Sequence, residues 1–139
     1  MTRLKAFRAL GTKPRNRYRS LSARSADGKT VAVSLWKDRF QGPAGKMVYS
    51  RAGWGDWNLV TGRLFIQDLL WALGNCGGLV KVAVVVRDPA CPQPRTADCY
   101  PANNLLMRVT YFNLVTGAFR LEQVVPAGFV GPASRPKAA

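Results

Sequence analysis

The chain opens its ordered pattern with period-two alternation. In "KTVAVSLWKDRF", Val31, Val33 and Leu35 fall on one face of a strand, and Ala32, Ser34 and Trp36 fall on the other. "QGPAG" then reads as a turn and "KMVYS" as a short strand able to pair back. In "RLFIQDLLWALGNCGG" the period becomes helical, with Ile66, Leu69, Leu70 and Leu73 at i, i+3, i+4 and i+7. Thr61 is placed to cap this helix, and Gly77–Gly78 can stop it in the left-handed conformation.

"GLVKVAVVVRD" is almost continuously apolar and β-branched, as a central strand buried on both faces would be. "PACPQPRTADCYPANN" reads as a long proline-punctuated loop. The last element predicted is a hairpin, "LLMRVTYF" and "AFRLEQVV", joined by Asn113–Gly117. Pairing Phe112 with Ala118 gathers Leu105, Met107, Val109 and Tyr111 with Phe119, Leu121 and Val125. It also sets Arg108 opposite Glu122 as an ion pair. "NLVTG" occurs twice, at Asn58–Gly62 and Asn113–Gly117, between flanks that do not match. The first leads into a helix and the second turns a hairpin, with Gly117 at positive φ. The recurrence is turn chemistry and not an internal repeat.

These elements predict an α+β domain over residues 29–125. Its sheet, mixed or antiparallel and strongly bent, has barrel-like closure as one available form, and it packs on one main helix. Residues 1–28 read as a flexible basic arm, broken by "TKPRN" and closed by the turn-formers of "SARSADG". Residues 126–139, "PAGFVGPASRPKAA", read as a flexible tail.

Charge changes this picture most. Lys and Arg number 21 against 7 acids, a net charge of +14. Residues 1–30 carry nine of these cations and only Asp27, so the predicted arm is strongly cationic, and the body is basic in its own right. Such a field attracts polyanions, of which nucleic acid is the commonest in a cell. Arg3, Lys5, Arg8, Lys13, Arg15, Arg17 and Arg19 are the candidate phosphate contacts. A surface that merely keeps the chain soluble, and an arm docked on an acidic protein partner, are the competing explanations.

The chain has no histidine, so Ser–His and Cys–His catalysis and the usual general base are excluded. Cys76, Cys91 and Cys99 have no CxxC spacing, which argues against a zinc site and for reduced thiols in an intracellular, cytoplasmic protein. No cofactor or metal is expected. No apolar run spans a membrane, and the basic N-terminus lacks a secretory apolar core. Its Arg-rich, acid-free composition leaves an organellar leader as the alternative. The acids are scattered; a carboxylate-dependent nuclease built on Asp56 or Asp88 is the catalytic alternative.

Recognition of a base is better served by "RAGWGDWNLVTG", where Trp54 and Trp57 alternate with glycines, Asp56 and Asn58, beside Arg51. Trp36 lies next to Lys37 and Arg39. Aromatic faces with arginine nearby and an Asn or Asp to read an edge are what an unstacked base requires. Core packing is the competing role for each tryptophan, and the better one for Trp71. "LWK" at Leu35–Lys37 and "NLVTGRLFIQDLLWALGNCGGLVKVAVVVRDPACPQP" from Asn58 to Pro94 resemble the PUA-like domains, within them the EVE and YTH group. The resemblance implies a small β-barrel flanked by helices that holds a base, often a modified one, in an aromatic cage. It implies Trp36, Trp54 and Trp57 as cage residues and Asn58 as the reader of the base edge. Only one clear helix is visible, and Gly77–Gly78 stand where that family has Gly-Asp.

The expectation is therefore a non-catalytic nucleic-acid-binding module, with an accessory protein docking an acidic partner as the rival. Replacing both Trp54 and Trp57 by alanine should abolish base selectivity in a binding assay while leaving the melting temperature nearly unchanged. A large loss of stability would instead assign the pair to the core.

Overall fold

The computed structural model describes residues 1–15, 20–53, 59–88, 90 and 96–125. Two helices and six strands follow in chain order: α1 (Arg3–Ala9), β1 (Ser22–Arg24), β2 (Val31–Trp36), β3 (Val48–Arg51), α2 (Leu59–Asn75), β4 (Leu79–Arg87), β5 (Thr96–Phe112) and β6 (Phe119–Val124). The strands form one sheet in the order β1-β2-β4-β5-β6-β3. β2 and β4 are parallel, and every other neighbouring pair is antiparallel. The sheet is mixed and open; it does not close into a barrel.

The alternation in β2 organises both sides. Val31, Val33 and Leu35 enter the larger core with Val80, Val82 and Val84 of β4, Met107 and Val109 of β5, and the inward face of α2. The Phe65 ring of α2 meets Phe119 of β6 at 5.0 Å between centroids, and Phe119 stacks on Tyr49 of β3 at 6.1 Å. Ala32 faces the other way, with Ala23, Ala83, Val85 and Cys99. Those small side chains leave room for a helix to lie close against the sheet, and α1 fills it with Ala6, Phe7 and Leu10.

Residues 1–15 and 20–28 are thus built into the fold, where the composition predicted a loose arm. Thr2 accepts from Lys5 N–H and caps α1, and the buried Thr12 hydroxyl donates to Phe7 O. Lys13 then bridges to Arg24, extending the edge beyond β1. One aromatic and two aliphatic buried side chains suffice to hold a helix with three basic residues when tertiary packing supplies the rest.

Other expectations also change. β3 does not return to β2; it pairs with β6 at the far edge of the sheet. α2 begins at Leu59, so Thr61 lies inside it and is not its cap. Its buried face is Phe65, Ile66, Leu69 and Ala72, and Leu70 and Leu73 are exposed at 44% and 39%. The glycine stop holds: Gly77 and Gly78 both have positive φ, and Gly78 N–H closes on Ala72 O. β4 is buried along Val82–Val85, as its composition predicted.

Residues 96–104, expected in a loop, belong to β5. Its partners jump from Ala102 to Leu106 between Val82 and Lys81, so the extra residues leave the ladder as a bulge. β6 runs beside only the C-terminal part of β5, and Pro101 therefore needs to serve one ladder rather than two. The hairpin register is Arg108 opposite Glu122, as predicted, as far as Val109 opposite Leu121. A second bulge then shifts Phe112 from Ala118 to Phe119. Gly117 has the expected positive φ of 77°.

Phe7→Ala should cost about 3–5 kcal/mol, since the ring is 1% exposed and its removal opens a cavity over small residues. Urea denaturation checks this; a residue on a loose arm would shift stability by less than about 0.5 kcal/mol.

Candidate functional site

The electrostatic centre of the fold is Asp68. Helical periodicity places it between Phe65 and Ala72 on the inward face of α2, and it is fully buried. A lone buried carboxylate would be prohibitive, and this one is answered from the N-terminal segment. Arg15 donates to both carboxylate oxygens, at 3.0 and 2.9 Å, in a bidentate pair. Arg24 Nε donates to Oδ1 at 2.7 Å, and the Ser22 hydroxyl donates to Oδ2. Burial by itself pushes the Asp68 pKa up, but the hydrogen bonds from Arg15, Ser22 and Arg24 together outweigh it and hold the group below the usual carboxylate range. The hydrogen bond to Asp68 raises the Arg15 pKa in turn.

Around this cluster the guanidinium of Arg24 lies 4.3 Å over the Trp71 ring, and Trp71 Nε1 donates to Gly28 O at 2.8 Å. Gly28 is at φ 71°, and a Cβ there would meet the Trp71 ring at 3.0 Å. Trp71 therefore packs as a partly buried core residue and clamps the β1–β2 turn to α2.

The expected phosphate contacts divide. Arg15 is spent on Asp68, and Arg3 is half-buried, its pKa lowered by desolvation. Lys5 and Arg8 are exposed on α1, and Lys13 is exposed beside β1. Arg17 and Arg19 lie outside the described residues. Among the expected base-binding residues, Trp54, Asp56, Trp57 and Asn58 also lie outside them. Arg51 ends β3, with Nε donating to Gly53 O at 2.8 Å. Trp36 packs on the smaller core, and Arg87, itself paired with Asp38 at 2.7 Å, covers its ring at 4.5 Å. Trp36 is thus a partly exposed residue at one end of the sheet, with the Arg87 guanidinium over its ring.

No protein-family model, curated protein or solved structure matches this chain.

Six of the seven acids are described, and each is engaged inside the chain. Asp38 takes Arg87, Asp68 takes Arg15 and Arg24, and Glu122 takes Arg120. The Met1 ammonium lies 2.6 Å from Asp98. Asp27 accepts from the Ser25 hydroxyl and Lys29 N–H, and Asp88 accepts from Ala90 N–H in an Asx turn. Glu122 pairs with Arg120 along its own strand rather than with Arg108 across the hairpin. Among the described residues no group of three or more His, Cys, Asp or Glu is placed to hold a metal, and no helix is long and apolar enough to cross a membrane.

The open part of the sheet, opposite α2 and beyond α1, was not singled out from sequence. Lys81 on β4, Arg108 on β5 and Arg120 on β6 point out from it and are exposed. Period-two alternation alone puts these residues opposite the buried Val80, Met107 and Leu121, so the signal was present in the strands.

Asp68→Asn should destabilise the protein by about 3 kcal/mol, at the low end for a broken buried pair because Arg15 and Arg24 keep 40% and 30% of their side-chain surface in solvent. The folded-state pKa of Asp68 is depressed, so its contribution is present above the unfolded value of about 3.9 and is lost as pH falls through the folded one. Urea melts of both proteins between pH 3 and 7 should therefore show the difference shrinking only at the acid end.

Proposed function

We propose that this domain binds nucleic acid, with phosphate contacts supplied by cations displayed on the folded body. The observation that carries this is the distribution of charge. Among the described acids Asp68 is buried between two arginines, and Asp38, Asp98 and Glu122 are ion-paired. Lys5, Arg8, Lys13, Lys37, Lys81 and Arg108, among other cations, stand exposed. With 21 cations against 7 acids, these pairs leave a net charge of +14 on 139 residues, an excess of one sign. That arrangement costs self-repulsion and is compensated when a polyanion binds and releases its counterions.

The proposal extends to a pocket for a base, of the aromatic-cage kind that the PUA-like resemblance implies. Trp54, Trp57, Asp56 and Asn58 are its residues, on the connection that leaves Arg51 and enters α2. Their residue types support it: aromatic faces stack on a base, and the Asn and Asp side chains pair with its edge. Trp36, with Arg87 over its ring, and Arg51 at the end of β3 complete the proposed set.

Binding to DNA and RNA, followed by fluorescence anisotropy between 50 and 400 mM salt, tests the proposal. Affinity should fall linearly on a logarithmic plot, and Lys5→Gln with Arg8→Gln should lower the slope by about 1.4–1.8. These substitutions leave the buried Ala6, Phe7 and Leu10 of the α1 segment in place. A flat salt dependence, or no binding to either nucleic acid, would sink the proposal.

A further inference from the structure

We propose that the open sheet face is a stacking platform for single-stranded nucleic acid, with Tyr111 as its aromatic surface and Lys81, Arg108 and Arg120 along the phosphate path. This rests on the reading that the domain binds nucleic acid.

The placement of Tyr111 carries the inference. Strict alternation from Met107 and Val109 would put it on the buried face, among the apolar residues of the hairpin. The bulge between Val109 and Tyr111 inserts one residue, and the pairing resumes with Tyr111 opposite Arg120 and Phe112 opposite Phe119. Phe112 thereby packs against the core, and Tyr111 turns to the solvent side with 51% of its surface exposed. Bulges re-aim side chains in this way. An aromatic ring diverted from a core to solvent gives up part of the burial that would otherwise stabilise it. Asn113 Nδ2 lies 3.5 Å from the phenol oxygen, beside the ring.

Tyr111 shares this face with spaced cations, and with Leu106 and Val124, which lie level with Lys81. Arg120 is directly opposite Tyr111, and Ser50 of β3 is opposite Arg120. Arg108 is opposite Glu122 and also opposite Leu79 of β4, two residues from Lys81. The face runs from β4 through β5 and β6 to β3, three strand spacings or about 14 Å. Its one acid, Glu122, accepts from Arg120 Nε at 3.1 Å and leaves two of the three cations unmatched. An exposed ring within a cationic strip suits a strand whose bases are free to stack. A duplex keeps its bases stacked on one another and would use the charges alone.

The test compares fluorescein-labelled 20-nucleotide oligothymidylate and oligouridylate with a 20-base-pair DNA duplex at 100 mM salt. Both single strands should bind at least about tenfold more tightly than the duplex. Tyr111→Ala should weaken single-strand binding about fivefold or more, Tyr111→Phe should restore it, and duplex binding should be unmoved by either. Lys81→Gln, Arg108→Gln and Arg120→Gln should each reduce the single-strand salt slope by about 0.7. Wild-type binding with Tyr111→Ala within twofold of it, or a duplex preferred over both single strands, overturns the platform and leaves nucleic-acid binding standing. No wild-type binding to any of the three probes overturns both. The circular-dichroism melting curve of Tyr111→Ala should match the wild type within a few degrees, and the three glutamine variants test the face without altering the ring.

Discussion

One buried carboxylate decides how this chain is assembled. Asp68 lies on the side of α2 that faces the sheet, where an ionised group is tolerated only if its oxygens are fully answered. The donors come from Arg15, Ser22 and Arg24, far away in sequence and all in the first thirty residues. That segment is rich in positive charge and poor in apolar side chains, so its attachment to the domain cannot come from hydrophobic burial alone. The carboxylate converts what would be electrostatic repulsion into a fixed docking point, and Trp71 stacked on Arg24 extends the same joint.

Once the segment is held there, α1 can cover the side of the sheet that α2 leaves bare. The two faces differ in size of side chain: valines, leucine and phenylalanines under α2, alanines and a cysteine under α1. The short helix covers only the β1-β2-β4 end and the N-terminal part of β5. The remainder of that face, toward β6 and β3, keeps its polar and cationic side chains in water. An asymmetric covering of one sheet thus produces both a second small core and the open surface on which the proposed function rests.

Much of this was legible from residue patterns where local periodicity and burial agree. β2, β4, the glycine stop of α2 and most of the hairpin register followed from period two, β-branched composition and turn chemistry. The inward face of α2 did not, and the reason is Asp68. A pattern read for apolar residues rejects a face that contains an acid and prefers the neighbouring stripe through Leu70 and Leu73, because the arginines that neutralise the acid are invisible at that distance. The same long-range pairing hid α1 inside a segment whose composition resembles a disordered tail. At Tyr111 a single inserted residue reversed the assignment of a side chain to its face, and no local signal marks where such an insertion falls. The tryptophan-rich connection before α2 was the most conspicuous candidate in the sequence, and it falls outside the described residues, so the nearer candidate became a tyrosine that composition alone would not have chosen.

The long strand β5 has a consequence for self-association. Its first half is paired on one side by β4, while β6 begins only at the level of Leu106, so a stretch of main chain there has a side that β6 does not satisfy. Such a stretch is a template on which a second chain could add a strand. Pro101 sits in the middle of it and has no N–H to offer, and the bulge beside it takes Asn103 and Asn104 out of register. The two strands that end the sheet are only three and four residues long. The proline that made this stretch look like a loop removes a main-chain donor from the side of the strand that β6 does not reach.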